Sequence, residues 1–355
     1  MSPGPLKLRH LPQYGELGRL LLAHRNAPSA EGEEADEDAA ALVTALESMG
    51  PTYVKLGQLL SSRVDLLPPP YTSALARLQD NVEPMPTEEA REMIEEELGV
   101  RISTAFGSFD DEPIGSASLG QVHRATMRDG RPVAVKVQRP GIRRQILADM
   151  EVIAELGQML DQHVALAEKV GFSASIEAFK RSLLAELDYR REAANLRGFG
   201  ERLSGYERLV VPQPIDDFST SQVLTMSFID GRNLSSIGPL GLLDVDGGPL
   251  ADELFKAYLD QVLVHGVFHA DPHPGNVLLT SDGRLALLDL GMVALVAPDL
   301  QDSLLRLLVA ISEGRGADAA EALERLSTPL EDYDREELSR RVSAFVAQSS
   351  DASLA

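Results

Sequence analysis

Hydrophobic residues in the first hundred positions recur at mixed three- and four-residue steps, the period of a helix with one buried face. Residues 41–46 and 53–67 carry this pattern and run into Pro68-Pro69-Pro70, so a helical pair closed by the prolines is expected. Residues 87–98 repeat it, with acids in the first turn and Gly99 as a stop. The period then drops to two. Residues 120–125 and 132–138 alternate on either side of Asp129-Gly130, the dipeptide of a tight hairpin turn, and two antiparallel strands follow from that. Helical spacing returns over 146–160 and 176–199, and 209–211 and 223–229 read as strands before Asp230-Gly231. A long helix is expected over 250–265. After it, 271–279 and 285–288 form a short hairpin around Ser281-Asp282-Gly283.

Composition narrows the classes. A chain of 355 residues with 44% hydrophobic content is too long for one small core and suggests two lobes. A net charge of −22 repels a phosphate backbone, so no nucleic-acid partner is expected. The absence of cysteine removes disulfides, thiolate clusters and thiol nucleophiles, and fits a reducing compartment. No uncharged apolar run reaches the roughly 18 residues that would span a bilayer, and the opening MSPGPLKLRH lacks the apolar stretch of a signal peptide. The chain therefore reads as cytoplasmic and without a transmembrane segment. Residues 27–40 hold Glu31, Glu33, Glu34, Asp36, Glu37 and Asp38 and no aromatic or β-branched residue, so they read as a solvated linker.

The chemistry-bearing residues begin with His269-Ala270-Asp271-Pro272-His273-Pro274-Gly275-Asn276, followed one hairpin later by Asp289-Leu290-Gly291. Asp271 and Asn276 have the spacing of a kinase catalytic loop, in which the Asp accepts the attacking hydroxyl's proton and the Asn holds magnesium. Asp289 stands where a second, metal-bridging Asp belongs, and hard oxygen ligands suit Mg2+. Ordinary turn chemistry would explain any one of these motifs alone. His265, His269 and His273 recur every fourth residue, as a metal-binding helix face would, but Pro272 and Pro274 break that helix.

Upstream, Pro113-Ile114-Gly115-Ser116-Ala117-Ser118-Leu119-Gly120-Gln121-Val122 is a turn of small residues opening a strand, which lets backbone N–H groups approach phosphate. Lys136, within Val133-Ala134-Val135-Lys136-Val137, can neutralise that phosphate from the neighbouring strand. An edge-strand lysine that blocks aggregation is the competing explanation. Between the two regions lies Ala185-Glu186-Leu187-Asp188-Tyr189-Arg190-Arg191-Glu192. On one straight helix Asp188 and Glu192 lie about 40° apart and Glu186 points about 160° from Asp188. Either the helix is distorted or Glu186 serves a different partner.

With these elements in order, the chain resembles the protein-kinase-like superfamily. Lys55-Leu56-Gly57-Gln58, Glu186-x-Asp188 and HADPHPGN single out the UbiB-like (ADCK) atypical kinases, over roughly residues 51–296. The resemblance implies an α+β, bilobal protein-kinase-like fold with a helical N-terminal extension over the cleft. It divides the chain into an N-terminal segment and acidic linker (1–40), the extension (41–110), a nucleotide-binding N-lobe with inserted helices (111–230) and a helical C-lobe (231–355). It implies ATP and Mg2+ as cofactors. Lys136 would bind the α/β-phosphates and pair with Glu192, Asp271 would be catalytic, and Asn276 and Asp289 would hold the metal. The nucleotide would be lined by Ile114, Gly115, Ser116, Ala117, Ser118, Gly120, Val122 and Ala134, with adenine on the backbone of Met226, Ser227, Phe228 and Ile229. Lys55, Gly57 and Gln58 would restrict substrate access, with Lys55 acting in catalysis and Glu186 as its partner, and Glu186 and Asp188 near the metal.

Two features depart from the family pattern. The nucleotide loop has Gly115, Ser116 and Gly120 where the family is alanine-rich, and 66 residues remain after Asp289 where many relatives continue further, so the C-lobe reads as truncated. The implied activity is Mg2+-dependent ATP binding and hydrolysis supporting isoprenoid-quinone or related lipid biosynthesis. A lipid or quinone-precursor ligand, quinone-biosynthesis proteins as partners and a peripheral membrane location follow from it. Val54, Leu56, Leu59, Leu60 and Val64 offer an apolar stripe for such a surface, although packing onto the nucleotide lobe is the commoner fate of a stripe. The alternatives are an aminoglycoside- or choline-kinase-type phosphotransferase, which has no use for residues 55–58, and a nucleotide-dependent scaffold without turnover.

Overall fold

Asp129-Gly130 closes the hairpin at the centre of the first sheet, in a computed structural model that describes residues 33–61, 67–78, 83–163, 172–238, 245–327 and 334–352. Strands β1 (Phe106–Ser116), β2 (Gly120–Met127), β3 (Pro132–Gln138) and, further on, Val223–Ser227 make an antiparallel sheet with the last strand beside β3. Val133, Val135 and Val137 are wholly buried in β3, as befits an interior strand. β1 lies at the edge. Its sequence, FGSFDDEPIGS, is mostly polar and its pairing with β2 is interrupted by register shifts, which is why alternation did not reveal it.

The extension is helical from an earlier point than its composition suggests. Helix α1 (Glu33–Met49) incorporates most of the acidic run read as a linker, because Ala35 and Ala39 form a buried small-residue stripe between the acids and Asp38 accepts a hydrogen bond from the Tyr71 hydroxyl at 2.6 Å. Residues 27–32 lie outside the described residues. Helix α2 (Pro51–Ser61) follows, and the triple proline that reads as a stop also starts α3 (Pro69–Leu75), where prolines suit the first helical positions. Helices α4 (Thr87–Leu98), with Gly99 left-handed after it, and α5 (Ile102–Ala105) lead into β1.

The inserted helices are α6 (Ile142–His163), α7 (Phe172–Glu186) and α8 (Tyr189–Arg202). The single helix expected over 176–199 is two, broken at Leu187 and Asp188. Asp188 ends one and starts the other: its side chain accepts the Arg190 N–H at 3.2 Å. Leu46, Tyr53, Leu75, Ile146, Met150, Phe179 and Leu183 form one apolar core joining α1–α3 to α6 and α7. The Thr52 hydroxyl reinforces it by donating to buried Asp149 at 2.6 Å. Most of the apolar stripe packs here: Val54 is buried and Leu56 and Leu60 lie against the core, whereas Leu59 is exposed and Val64 lies outside the described residues.

The chain forms two compact units. The first comprises the described residues up to Ala194 with Gln213–Phe228; the second comprises Asn195–Pro212 and the described residues from Ile229 onward. Residues 195–212 and the two residues before Gly231 thus belong with the second unit. The second unit holds a sheet of β4 (Leu209–Val210), β5 being the Val223–Ser227 strand already described, then β6 (Gly231–Asn233), β8 (Val277–Thr280) and β9 (Leu285–Leu287), and a separate pair, β7 (Val267–His269) with β10 (Val293–Leu295). Helix α9 (Gly247–Asp260) is continued by a π-helical turn, Gln261–His265, where one helix was expected. Helices α10 (Pro298–Ser312), α11 (Gly316–Leu326) and α12 (Arg335–Ala352) share a small core of Ala310, Ala319 and Val346. Among the described residues no helix is long and apolar enough to cross a membrane.

Candidate active site

In the first unit, Lys136 lies on β3 with strands on both sides, paired with Val122 and Leu224, so the edge-strand explanation does not apply. Its Nζ lies 2.9 Å and 3.1 Å from the two carboxylate oxygens of Glu192. Glu192 is buried, and Lys136 retains a fifth of its side-chain surface. The ammonium also sits 5.1 Å from the centre of the Tyr189 ring. A buried carboxylate that holds a partly open lysine through both oxygens fixes where that ammonium sits.

The loop from β1 to β2 places Ser116, Ala117 and Ser118 together, closed by the Ala117 N–H donating to the Gly120 carbonyl at 2.8 Å. Ile114 and Gly115 end β1, with Ile114 half exposed and Gly115 in open space; Val122 and Ala134 pair with Lys136 and Met226. Gly120 has a packing reason: a Cβ there would collide with the Val137 carbonyl and crowd the Tyr189 hydroxyl. Among the expected adenine contacts, Met226 and Ser227 end β5. The Phe228 N–H donates to the Pro132 carbonyl at 3.2 Å. Ile229 belongs to the second unit.

The family-specific residues divide by partner. Lys55 Nζ lies 2.9 Å from Glu186 Oε1, tying α2 to the end of α7. Gly57 is required by packing, since a Cβ would meet Leu78 and Leu46, and Gln58 donates to the Leu78 carbonyl at 3.2 Å. Glu186, Asp188 and Glu192 therefore do not converge: they meet Lys55, the start of α8 and Lys136 respectively.

In the second unit, two strand pairs hold the loop from His269 to Asn276 and the turn at Asp289. The Ala270 N–H donates to the Met292 carbonyl at 3.0 Å, next to the β7–β10 pair. The Leu288 N–H donates to the Asn276 carbonyl at 2.8 Å, extending the β8–β9 ladder. The second bond sets Asn276 beside the residue preceding Asp289. Asp289 is left-handed at φ 50°, the one non-glycine with positive φ among the described residues, a conformation that costs about 1 kcal/mol or more. Its carboxylate accepts the Gly291 N–H at 3.3 Å. His269, buried at the base, has its pKa lowered by desolvation, while the Met292 carbonyl and the charges of Asp271 and Asp289 oppose the shift. Both carboxylates thus act on one imidazole. Tyr258 is pushed up to about 12 by burial and then by the Asp271 charge.

The three histidines do not share a helix face: His265 is in the π turn, His269 on β7, and His273 caps the turn at Pro274–Asn276 by accepting the Gly275 N–H at 3.0 Å. Sequence reasoning missed three supports. Asn233 holds the Gly275 carbonyl at 2.5 Å, Asn195 holds the Leu290 carbonyl at 2.7 Å, and the Gln261 side chain accepts the His269 N–H at 3.1 Å. All three bind main-chain atoms, 42 and 95 residues away for Asn233 and Asn195 and eight for Gln261, and no spacing signals that.

A family model for the ABC1 atypical kinase-like domain matches residues 77–323. The chain belongs to that family. This is the UbiB-like (ADCK) group, and its fold is α+β and protein-kinase-like. The chain is 40% identical over 270 residues to the Arabidopsis thaliana protein ACTIVITY OF BC1 COMPLEX KINASE 8, chloroplastic, covering 75% of this chain and 35% of that protein. It is 35% identical to an uncharacterised Synechocystis protein, covering 84% of this chain and 51% of that one. It thus spans about a third to a half of the length of these curated relatives. A solved Mycobacterium tuberculosis structure, the complex of Rv3197 with erythromycin, matches at 27% identity and a TM-score of 0.54, covering 84% of this chain and 75% of that one.

Proposed function

We propose that this ABC1-family chain is a Mg2+-dependent ATP-binding atypical kinase or ATPase. The observation that carries the reading is the second unit's loop geometry: the Leu288–Asn276 backbone bond holds Asn276 beside the residue that precedes the strained Asp289. The donor set, one amide oxygen and one carboxylate with a second carboxylate nearby, fits magnesium, which takes few protein ligands and leaves the rest to phosphate oxygens and water. Asn276 and Asp289 would hold the ion, whose chemistry is to neutralise charge developing on the transferred phosphoryl group. Lys136, oriented by Glu192, binds the α/β-phosphates; the 114–122 loop covers them; Asp271 accepts the proton of the attacking hydroxyl or water. Lys55 and Glu186 restrict what reaches the site, which favours a small or lipid acceptor over a peptide. A quinone-precursor or related lipid, quinone-biosynthesis partners and a location at the cytoplasmic face of a membrane complete the reading.

A second reading, a small-molecule phosphotransferase, has the erythromycin complex of the related mycobacterial protein in its favour. Transfer of the γ-phosphoryl group from ATP to lipid dispersions or to macrolides, read as phosphorylated acceptor formed alongside ADP, separates the two. The nucleotide itself is tested by the thermal midpoint. MgATP at a hundredfold excess over Kd adds about 2.7 kcal/mol of stability, and Asp289→Asn is expected to lose the magnesium-dependent part. A shift that is unchanged in the variant removes Asp289 from the metal. Turnover lost in Asp271→Asn supports an enzyme, and turnover that persists there, or is absent from the native chain, supports a scaffold.

A further inference from the structure

One arginine outside every motif described above grips the small-residue loop from three directions. Arg139, just past β3, donates from Nε to the Ala117 carbonyl at 3.1 Å and from Nη2 to the Ser116 hydroxyl at 3.0 Å. The same Nη2 donates to the Glu83 carbonyl at 2.7 Å, in the segment that leads into α4. Its backbone N–H donates to the Leu119 carbonyl at 3.0 Å. Leu119 is itself buried in the core that joins α1–α3 to α6 and α7. The loop is therefore pinned at Ser116, Ala117 and Leu119, on one side by the arginine and on the other by the helical extension.

A guanidinium carries five donors in a rigid planar fork and can serve two carbonyls and a hydroxyl at once; a lysine ammonium on a flexible stem does not reproduce that geometry. A loop already ordered in the free protein loses little conformational entropy when phosphate docks against its N–H groups, whereas a free loop must be ordered at that moment.

We infer that Arg139 is a positioning residue that presets the 116–120 loop for the nucleotide phosphates and couples it to the extension through Glu83. The inference rests on the nucleotide reading above. Because coupling is reciprocal, nucleotide binding also tightens the segment around Glu83.

Calorimetric titration with MgATP, together with amide hydrogen exchange, tests this on the whole chain. Arg139→Ala and the charge-conserving Arg139→Lys are both expected to bind MgATP at least about tenfold more weakly than the native chain, with faster exchange at Ala117 and Gly120. In the native chain MgATP is expected to slow exchange at Met85, and in the variants this effect should be lost. If Arg139→Ala does not fold, Arg139→Lys alone decides. Native binding with equal affinity in Arg139→Lys overturns the inference and leaves the nucleotide reading intact. Weaker binding without any change in loop exchange overturns it as well, since the arginine then acts by charge. No MgATP binding by the native chain overturns both.

Discussion

Lys136 and Glu192 show how one ion pair can be structural and functional at once. Glu192 is buried, so Lys136→Ala leaves a carboxylate without its main counter-charge, a change that costs about 3 kcal/mol or more. Urea unfolding should show that loss in the absence of nucleotide, and an unchanged midpoint would mean that water reaches Glu192. Gly120→Ala should also destabilise, by about 1–3 kcal/mol, because the added methyl meets the Val137 carbonyl, and the same unfolding measurement checks it. His123 provides a pH signature. It is fully buried and stacked on Phe109, its Nδ1 donating to the Asp110 carbonyl at 2.9 Å and its Nε2 accepting from Gln121 at 2.7 Å, an arrangement that suits the neutral ring. Desolvation lowers its pKa from 6.5, opposed by the Asp110 carbonyl and the charges of Asp111 and Asp110 and aided by the charge of Arg91, so the unfolded chain binds a proton that the folded chain resists. The resulting stability is complete above pH 6.5 and is lost as pH falls toward the folded-state value; in His123→Gln that part of the slope should disappear. At this scale the sequence revealed the charged residues whose type announces their chemistry. It did not reveal Arg139, Asn195 or Asn233, whose partners are main-chain atoms brought near only by folding.

Among the elements, those with a clean period and a strong punctuation mark were legible: the β2–β3 hairpin around Asp129-Gly130, and α4 between Thr87 and Gly99. Elements whose burial comes from elsewhere were not. β1 is polar because it is an edge, the acidic run is helical because small alanines pack between its charges, and the break at Leu187–Asp188 is hidden by continuous helical spacing. That break has a use. It lets Glu186 face Lys55 while Glu192 faces Lys136, which resolves the opposed directions of the three acids. The Lys55–Glu186 pair is partly exposed, so it should contribute no more than about 1 kcal/mol to stability. Lys55→Ala is therefore expected to leave the thermal midpoint within a few degrees of the native value while changing phosphate release. A large stability loss with unaltered release would make the pair a structural clasp.

For the whole molecule, length and hydrophobic content foretold two lobes, and the chain divides into two units, though Asn195–Pro212 joins the second by an excursion that no composition shift marks. Family membership rests on a match over residues 77–323. Nucleotide chemistry is the proposal built on it, and its central claim is that Asn276 and Asp289 hold a divalent ion that the phosphates of a nucleotide also ligate. A crystal structure grown with a non-hydrolysable ATP analogue and Mn2+, the metal located by its anomalous signal, measures this directly. The expected result is one metal about 2.1–2.2 Å from oxygens of Asn276, Asp289 and the nucleotide. A metal bound away from Asp289, or one held there with no phosphate oxygen among its ligands, would contradict the account.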